Sequence, residues 1–198
     1  MSVWDRCISR GVPGSMLPAG YNNAYRIIQM PGVVVILYEM IHDVRVIPMD
    51  DRPRLNDRVR QWMGDARGHW EGDTLVVDTT NFTDKAPFRG SFGGLHLVER
   101  FTRVDSGTIN YEVTVEDPTT WAKSWTAAYP LTNLRTLVGG VDEQQVPQIF
   151  EYACHEGNYG MENILHGARA KRKYHRPSPH GRLCLLYTSD AADDTPCV

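Results

Sequence analysis

Ionisable side chains suited to acid–base chemistry concentrate in two short segments of the sequence. His69 and Glu71 flank Trp70, and His155 is followed directly by Glu156. An imidazole can act as a general base near neutral pH and a carboxyl as its acid or orienting partner, provided that burial shifts their pKa values. The catalytic hypothesis therefore names His69, Glu71, His155 and Glu156, with a hydrolase, lyase or isomerase as the reaction class.

The same histidines support a metal-site hypothesis. His42, His69 and His155, with Glu39 or Glu156 as a fourth ligand, would suit zinc, iron or copper. No HxH or HExxH spacing accompanies them, so no motif requires a cofactor, and a divalent metal stays an alternative.

A third set of residues is suited to holding a small molecule. Trp121 and Trp125 are four residues apart and share a face if the chain is extended there. Aromatic rings can line a pocket for an apolar or ring-shaped ligand, and a few polar groups would orient it. The ligand-binding hypothesis names Glu39, Arg45, Trp70, Tyr111, Trp121, Trp125 and Tyr152.

A purely structural role competes with each of these hypotheses. Buried carboxylates and imidazoles are costly unless paired, so a Glu/Asp–Arg–His network could simply hold hairpins together. Trp70 would then be a plug in the core, and the other aromatic residues would be the core of a barrel with few leucines.

Several functional classes are excluded or disfavoured. The 198 residues carry a net charge of -3, so no basic field favours nucleic acid. Purely apolar runs are short, such as residues 33–38, so no membrane span is expected. The chain has no GxSxG, Walker or dinucleotide-binding glycine pattern.

Hydrophobic patterning predicts strands almost throughout. In residues 108–116 apolar and polar side chains alternate, which is typical of a strand with one buried face. The other predicted strands are 25–30, 33–40 (buried on both faces), 44–49, two in a hairpin within 68–80, 95–104, 121–129 and 148–155. One helix is predicted over 161–172, with Asn158 as its N-cap.

These elements predict an all-β fold: an antiparallel, lipocalin-like (calycin-type) barrel or strongly curved meander with one C-terminal helix. Because no helices separate the strands, a parallel α/β fold is excluded. Residues 1–24 are predicted to be a loop-rich arm, 25–172 the barrel-like domain with its helix, and 173–183 a basic linker. Residues 184–198 begin CLLYTSDAADD, which resembles a translated sequencing adapter of metagenomic reads and is therefore expected to be a non-native tail.

Two motifs carry a family resemblance. GHWEGDTLVVDTTNF at 68–82 and EYACHEGNYG at 151–160 resemble a family of bacterial secreted proteins of unknown function, over about residues 5–170. The resemblance implies export to the periplasm or the outside of the cell. In such a compartment Cys7 and Cys154 would form a disulfide; the alternatives are two unrelated buried thiols or one reactive thiol.

The leading hypothesis is an exported β-domain that binds a small, partly apolar ligand in its interior. A binding domain predicts apolar side chains facing inward and ionisable groups at the rim. An enzyme predicts that His69, His155 and two carboxylates converge in one cavity. A structural or surface-interaction domain is the third alternative, and the sequence indicates no oligomeric state.

Overall fold

The computed structural model describes residues 3–133, 149–154 and 159–174 of the chain. The chain divides into two compact units, Met1–His155 and Glu156–Val198. The regular secondary structure in the described part of the first unit is β-strands and a short 3-10 helix, Met40–His42. The strands are β1 (Tyr25–Met30), β2 (Val33–Tyr38), β3 (Val44–Pro48), β4 (Asp65–Glu71), β5 (Thr74–Thr80), β6 (His96–Arg103), β7 (Thr108–Glu116) and β8 (Trp125–Thr132).

The strands form two antiparallel sheets in which each strand pairs with its neighbours in sequence. The first sheet has the order β1-β2-β3, and the second has the order β4-β5-β6-β7-β8. Tight turns permit this arrangement: Gly32 and Gly72 connect two of the hairpins with φ values of 74° and 58°, which glycine adopts without steric cost. The mostly-β, antiparallel prediction is confirmed, although no ladder between described residues closes a barrel.

The two sheets share one hydrophobic core. Val34, Ile36 and Ile47 contribute to it from the first sheet, and Val12 and Met16 join it from the N-terminal arm. The second sheet contributes Leu75, Val77, Leu97, Phe101, Tyr111, Val113 and Val115. In β7 the buried residues are alternate residues, as the period of two predicts.

The two sheets are in close contact at Gly68 of β4, where glycine has no side chain. A Cβ added to Gly68 would lie 2.8 Å from Cγ2 of Ile47 and 2.5 Å from Sδ of Met49. Only glycine leaves room for the end of β3 to pack against β4 in this way.

Several predicted boundaries are wrong. The strand predicted over 148–155 is absent from 149–154, and residues 148 and 155 lie outside the described range. β8 begins at Trp125 instead of 121, because Asp117 is followed by a turn that extends to Thr120. β2 ends at Tyr38, and it is fully buried on one face only, with the other face half-buried.

The second unit contains the helix α1, Gly160–Tyr174. This confirms the helix predicted over 161–172, and the predicted N-cap Asn158 lies outside the described residues. Among the described residues, none of the helices combines the length and the apolar character that crossing a membrane would require.

Candidate functional site

A cleft of about 890 Å³ opens between β1 and β8, the edge strands of the two sheets. Its interior is largely apolar and includes side chains from both sheets. These are Tyr25, Ile27, Ile36, Leu75, Phe101, Ile109, Tyr129 and Leu131. The inward-facing positions of β1 and β8 are only partly covered, so this region of the interior is open to a ligand.

The N-terminal arm bridges the two sides of the cleft. The Tyr25 hydroxyl donates a hydrogen bond to the carbonyl oxygen of Met16 at 3.0 Å, and the Tyr129 hydroxyl donates to the same oxygen at 2.5 Å. Burial raises the pKa of both phenols, which keeps them protonated donors. One backbone carbonyl thus fixes the spacing of β1 and β8.

Polar residues surround the opposite, hairpin end of the cleft. Asp73 lies in the β4–β5 turn and Asp105 in the β6–β7 turn, and both are exposed cleft-lining residues, as are Gln29 and Arg103. The same four residues and Trp70 line an adjoining depression of about 500 Å³. The cleft therefore has an apolar interior and a polar mouth.

Trp70 lies at this mouth. Its partner across the β4–β5 hairpin is Leu75, which faces the interior. Trp70 nevertheless remains 48 % exposed, so the interpretation of this residue as a core plug is wrong. An exposed indole beside an apolar cleft is a surface on which a ring or chain can pack.

Glu39 also lines the cleft, but its carboxylate is already engaged. Its Oε2 accepts a hydrogen bond from the backbone N–H of Ala24, and its Oε1 accepts one from the N–H of Phe150, each at 3.2 Å. The side chain is buried. It therefore ties two loops to the cleft wall, a structural role that buried carboxylates often have.

Beneath the cleft a buried ion pair joins the two sheets. Arg45 of β3 donates to both carboxylate oxygens of Glu99 of β6, at 3.0 and 2.5 Å, and to Oγ1 of Thr79 at 2.6 Å. The Tyr111 hydroxyl donates to Glu99 at 2.8 Å. Burial alone would lower the pKa of Arg45, but the adjacent carboxylate of Glu99 raises it, so the guanidinium stays charged. The predicted ligand-binding residues Arg45 and Tyr111 are thus core residues here.

The acid–base residues of β4 face away from the cleft. Nε2 of His69 lies 3.2 Å from Oε1 of Glu71, and Arg100 donates to the other oxygen of Glu71 at 2.6 Å. Hydrogen bonds from Arg100 and His69 hold the pKa of Glu71 below its usual value. The side chains of His69, Glu71 and Arg100 are all well exposed. The His69–Glu71 pair therefore does not lie in a buried substrate site.

A second histidine cluster, which the sequence analysis did not single out, lies on the outer face of the second sheet. Nε2 of His96 lies 3.0 Å from Asp78, and its Nδ1 lies 3.0 Å from Glu116. Arg54 also pairs with Asp78. Burial would lower the pKa of His96, but the hydrogen bonds to the two carboxylates outweigh it and raise the pKa. The sequence could have indicated this cluster, because His96, Asp78 and Glu116 occupy outward positions on adjacent strands.

Two other predicted groups lie apart from the cleft-lining residues. Trp121 and Trp125 pack edge-to-face, with ring centroids 5.8 Å apart, and both contact Phe88. Tyr152 stacks on Tyr21 at 6.2 Å. These rings therefore fasten loops to the domain and do not line the cleft.

The predicted metal ligands do not form a cluster in the described residues. Nε2 of His42 accepts a hydrogen bond from the backbone N–H of Tyr152 at 3.1 Å, and His69 pairs with Glu71. His155 and Glu156 lie outside the described range. Within that range no three His, Cys, Asp or Glu residues are arranged to hold a metal ion.

Cys7 and Cys154 lie at disulfide distance, with Cα atoms 6.1 Å apart. The pair connects the start of the N-terminal arm to the chain after Phe150. Since Met16 of that arm bridges β1 and β8, the two cysteines fasten the segment that spans the cleft.

No protein-family model matches this chain, and no curated protein or solved structure matches it either.

Proposed function

We propose that this protein is an exported binding domain that holds a small, partly apolar ligand in the cleft between β1 and β8. The observation that carries the proposal is the composition of the cleft, which is apolar inside and polar at its hairpin end. Ligand pockets commonly have volumes of about 300–1,000 Å³, apolar walls and a few orienting polar groups. In this proposal the strands form an open, lipocalin-like barrel whose missing closure is the ligand entrance.

The distribution of chemical groups favours binding over catalysis. No histidine or cysteine is among the described residues that line the cleft. Glu39, a buried carboxylate of the lining, accepts two backbone hydrogen bonds, so it is poorly placed to accept a proton from a substrate. The polar residues at the mouth, Gln29, Asp73, Arg103 and Asp105, can instead orient the polar end of a ligand.

Export is supported by the cysteine pair. Disulfides persist in oxidising compartments and are rare in the cytosol, and Cys7 and Cys154 are close enough to form one. The family resemblance carried by the motifs at 68–82 and 151–160 supports the same location.

Two neighbouring isoleucines of β1 provide a matched test. Ile27 lines the cleft and Ile28 does not, yet the two side chains are 38 % and 39 % exposed. Nile red, a neutral apolar dye, is titrated into the wild type and into Ile27→Gln and Ile28→Gln. Because losing the apolar contact of one isoleucine side chain should reduce the binding free energy by about 1.4 kcal/mol, Ile27→Gln should weaken dye binding about tenfold.

Ile28→Gln should bind the dye as the wild type does. Equal weakening by both substitutions, or no saturable dye binding at all, would contradict the proposal. Native mass spectrometry of the protein secreted by its host would then identify a natural ligand as a mass excess that Ile27→Gln reduces and Ile28→Gln retains.

A further inference from the structure

The outer face of the first sheet is apolar although it is exposed. The strand registers place nine side chains on this face, in three rows across β1, β2 and β3. The rows are Arg26, Leu37 and Val44; Ile28, Val35 and Val46; and Met30, Val33 and Pro48. Eight of these nine residues are apolar, and the single charge, Arg26, occupies a corner. We refer to these nine residues as the outer β1–β3 face.

The residues of this face are as apolar as those of a buried surface, but several of them are exposed to solvent. Val46 and Val44 are 56 % and 50 % exposed, and Ile28 and Met30 are exposed as well. An antiparallel sheet with one solvated face normally alternates apolar and polar side chains. The first sheet breaks this rule, because β2 and β3 have apolar residues facing both ways.

The second sheet of the same chain follows the rule and so serves as an internal comparison. Its outer face holds the cluster of His96 with Asp78 and Glu116, and the pair of Glu71 with Arg100. Hydroxyl pairs, such as Thr74 with Thr102 at 2.9 Å, share this face with Val76 and Val98. The apolar outer β1–β3 face is therefore a local feature and not a property of the whole sequence.

We propose that the outer β1–β3 face is the interface of a two-fold symmetric homodimer, in which the first sheets of two copies pack face to face. The occupant must be apolar and nearly flat, since the face offers one cation and no hydroxyl or amide side chain. A second copy meets both requirements, because in a two-fold dimer the same patch contacts itself. Stacked sheets pack in this manner about 10 Å apart.

A lipid surface is a poorer occupant. Peripheral binding to anionic membranes relies on several Lys or Arg residues and on Trp or Phe at the interface. The outer β1–β3 face has only Arg26 and no aromatic residue.

The size of the face sets the expected affinity. Three strands about 4.8 Å apart, two of six residues and one of five, give a patch of about 15 Å by 20 Å, or about 300 Å². Two such patches would meet over about 600 Å² in total, below the roughly 1,200 Å² of a standard specific interface and in the range of weak, transient contacts. We therefore expect a weak, reversible dimer that forms only at high protein concentration, not an obligate one.

Sedimentation velocity of the full chain over a wide concentration range tests this. Val46→Lys and Val44→Lys each introduce an ammonium group into the interface, where its desolvation should weaken dimerisation at least about tenfold. Val104→Lys is the matched control, since Val104 is also exposed but lies outside the face. Circular dichroism and thermal unfolding confirm that each variant folds.

The expected result is a concentration-dependent dimer for the wild type and for Val104→Lys, and a monomer for both interface variants at the same concentrations. A wild type that stays monomeric at the highest concentration would overturn the proposal. So would a dimer that persists in both Val46→Lys and Val44→Lys, because another surface would then form it. If the interface variants fail to fold, an Ile28→Lys variant places the ammonium group in the row of Val46 but on β1, the other edge strand of the sheet.

Discussion

Removing one charge of the Arg45–Glu99 pair should destabilise the protein more than removing both. The two side chains are 1 % and 0 % exposed, and two charged hydrogen bonds of 3.0 and 2.5 Å join them. Glu99→Gln keeps the shape of the side chain but leaves the guanidinium buried without a counter-ion. Breaking such a pair from one side costs about 3–5 kcal/mol, most of it the penalty of an uncompensated buried charge.

The double variant Arg45→Met/Glu99→Leu removes both charges, so this penalty disappears. Two neighbours then lose their partners, since Thr79 accepts a hydrogen bond from Arg45 and Tyr111 donates one to Glu99. Each unsatisfied hydroxyl costs about 1–3 kcal/mol, less where it can reorient. The double variant should therefore lose about 2–4 kcal/mol, well below the sum of Arg45→Met and Glu99→Leu measured singly.

Urea unfolding of the wild type, the three single variants and the double variant measures these free energies by linear extrapolation. The coupling energy of the cycle should be several kcal/mol. A loss below about 1 kcal/mol in Glu99→Gln, or additive effects of the two single substitutions, would refute the reasoning, because either result would mean that the pair is not buried together.

Three further predictions concern the rest of the first unit. Protonated His96 binds Asp78 and Glu116, and its pKa is raised above 6.5 in the folded state. The stability that this protonated imidazole gives the folded protein is therefore fully present below pH 6.5 and is lost as the pH rises through the folded pKa. Urea midpoints at about pH 6 and pH 8.5 should differ more in the wild type than in His96→Gln, and an equal difference would contradict this. A Cβ added to Gly64 would lie 2.6 Å from Cγ2 of Thr79, whereas nothing lies within 4 Å of a Cβ added to Gly72, and both glycines have positive φ. Gly64→Ala should therefore lower the free energy of unfolding by about 2–4 kcal/mol and Gly72→Ala by about 1 kcal/mol. Equal melting temperatures of the two variants would disprove the close contact. Reductant should lower the melting temperature of the wild type but not of Cys7→Ser/Cys154→Ser, since a disulfide closing so long a loop contributes up to about 4–5 kcal/mol. A wild-type melting temperature that reductant leaves unchanged would show that the pair is not bonded.

The strands could be predicted from the sequence where apolar and polar residues alternate regularly and turn-forming residues end the alternation. Residues 108–116 alternate strictly and end at Asp117-Pro118, and the observed β7 is Thr108–Glu116. The prediction for 121–129 was wrong at its start, because Asp117 accepts hydrogen bonds from Thr119 and Thr120 and holds a turn there. Burial would raise the pKa of Asp117, but its hydroxyl and backbone donors lower it to about 2. A side chain that stabilises a turn in this way leaves little trace in hydrophobic patterning.

The candidate site was less predictable than the fold. Trp70 and Glu39 were named from the sequence and do line the cleft. Arg103 and Gln29, which were not named, lie at its mouth because hairpin ends from different sheets meet there. The sequence also does not reveal that Arg45 pairs with Glu99, 54 residues away. Such partners depend on how the two sheets pack, which local patterns do not encode.

The alternation of β4 explains why the interior is closed at one place and open at another. Gly68 and Trp70 point to the same side of β4, toward the first sheet. At Gly68 the absent side chain lets Ile47 and Met49 approach, so the sheets are in tight contact. Two residues further on, Trp70 reaches the end of the hairpin and stays half-exposed beside the cleft. The width of the cleft should therefore depend on Gly68, because a side chain there would force β3 and β4 apart. Gly68→Ala should change the affinity for Nile red in the titration proposed above, although Gly68 itself does not line the cleft.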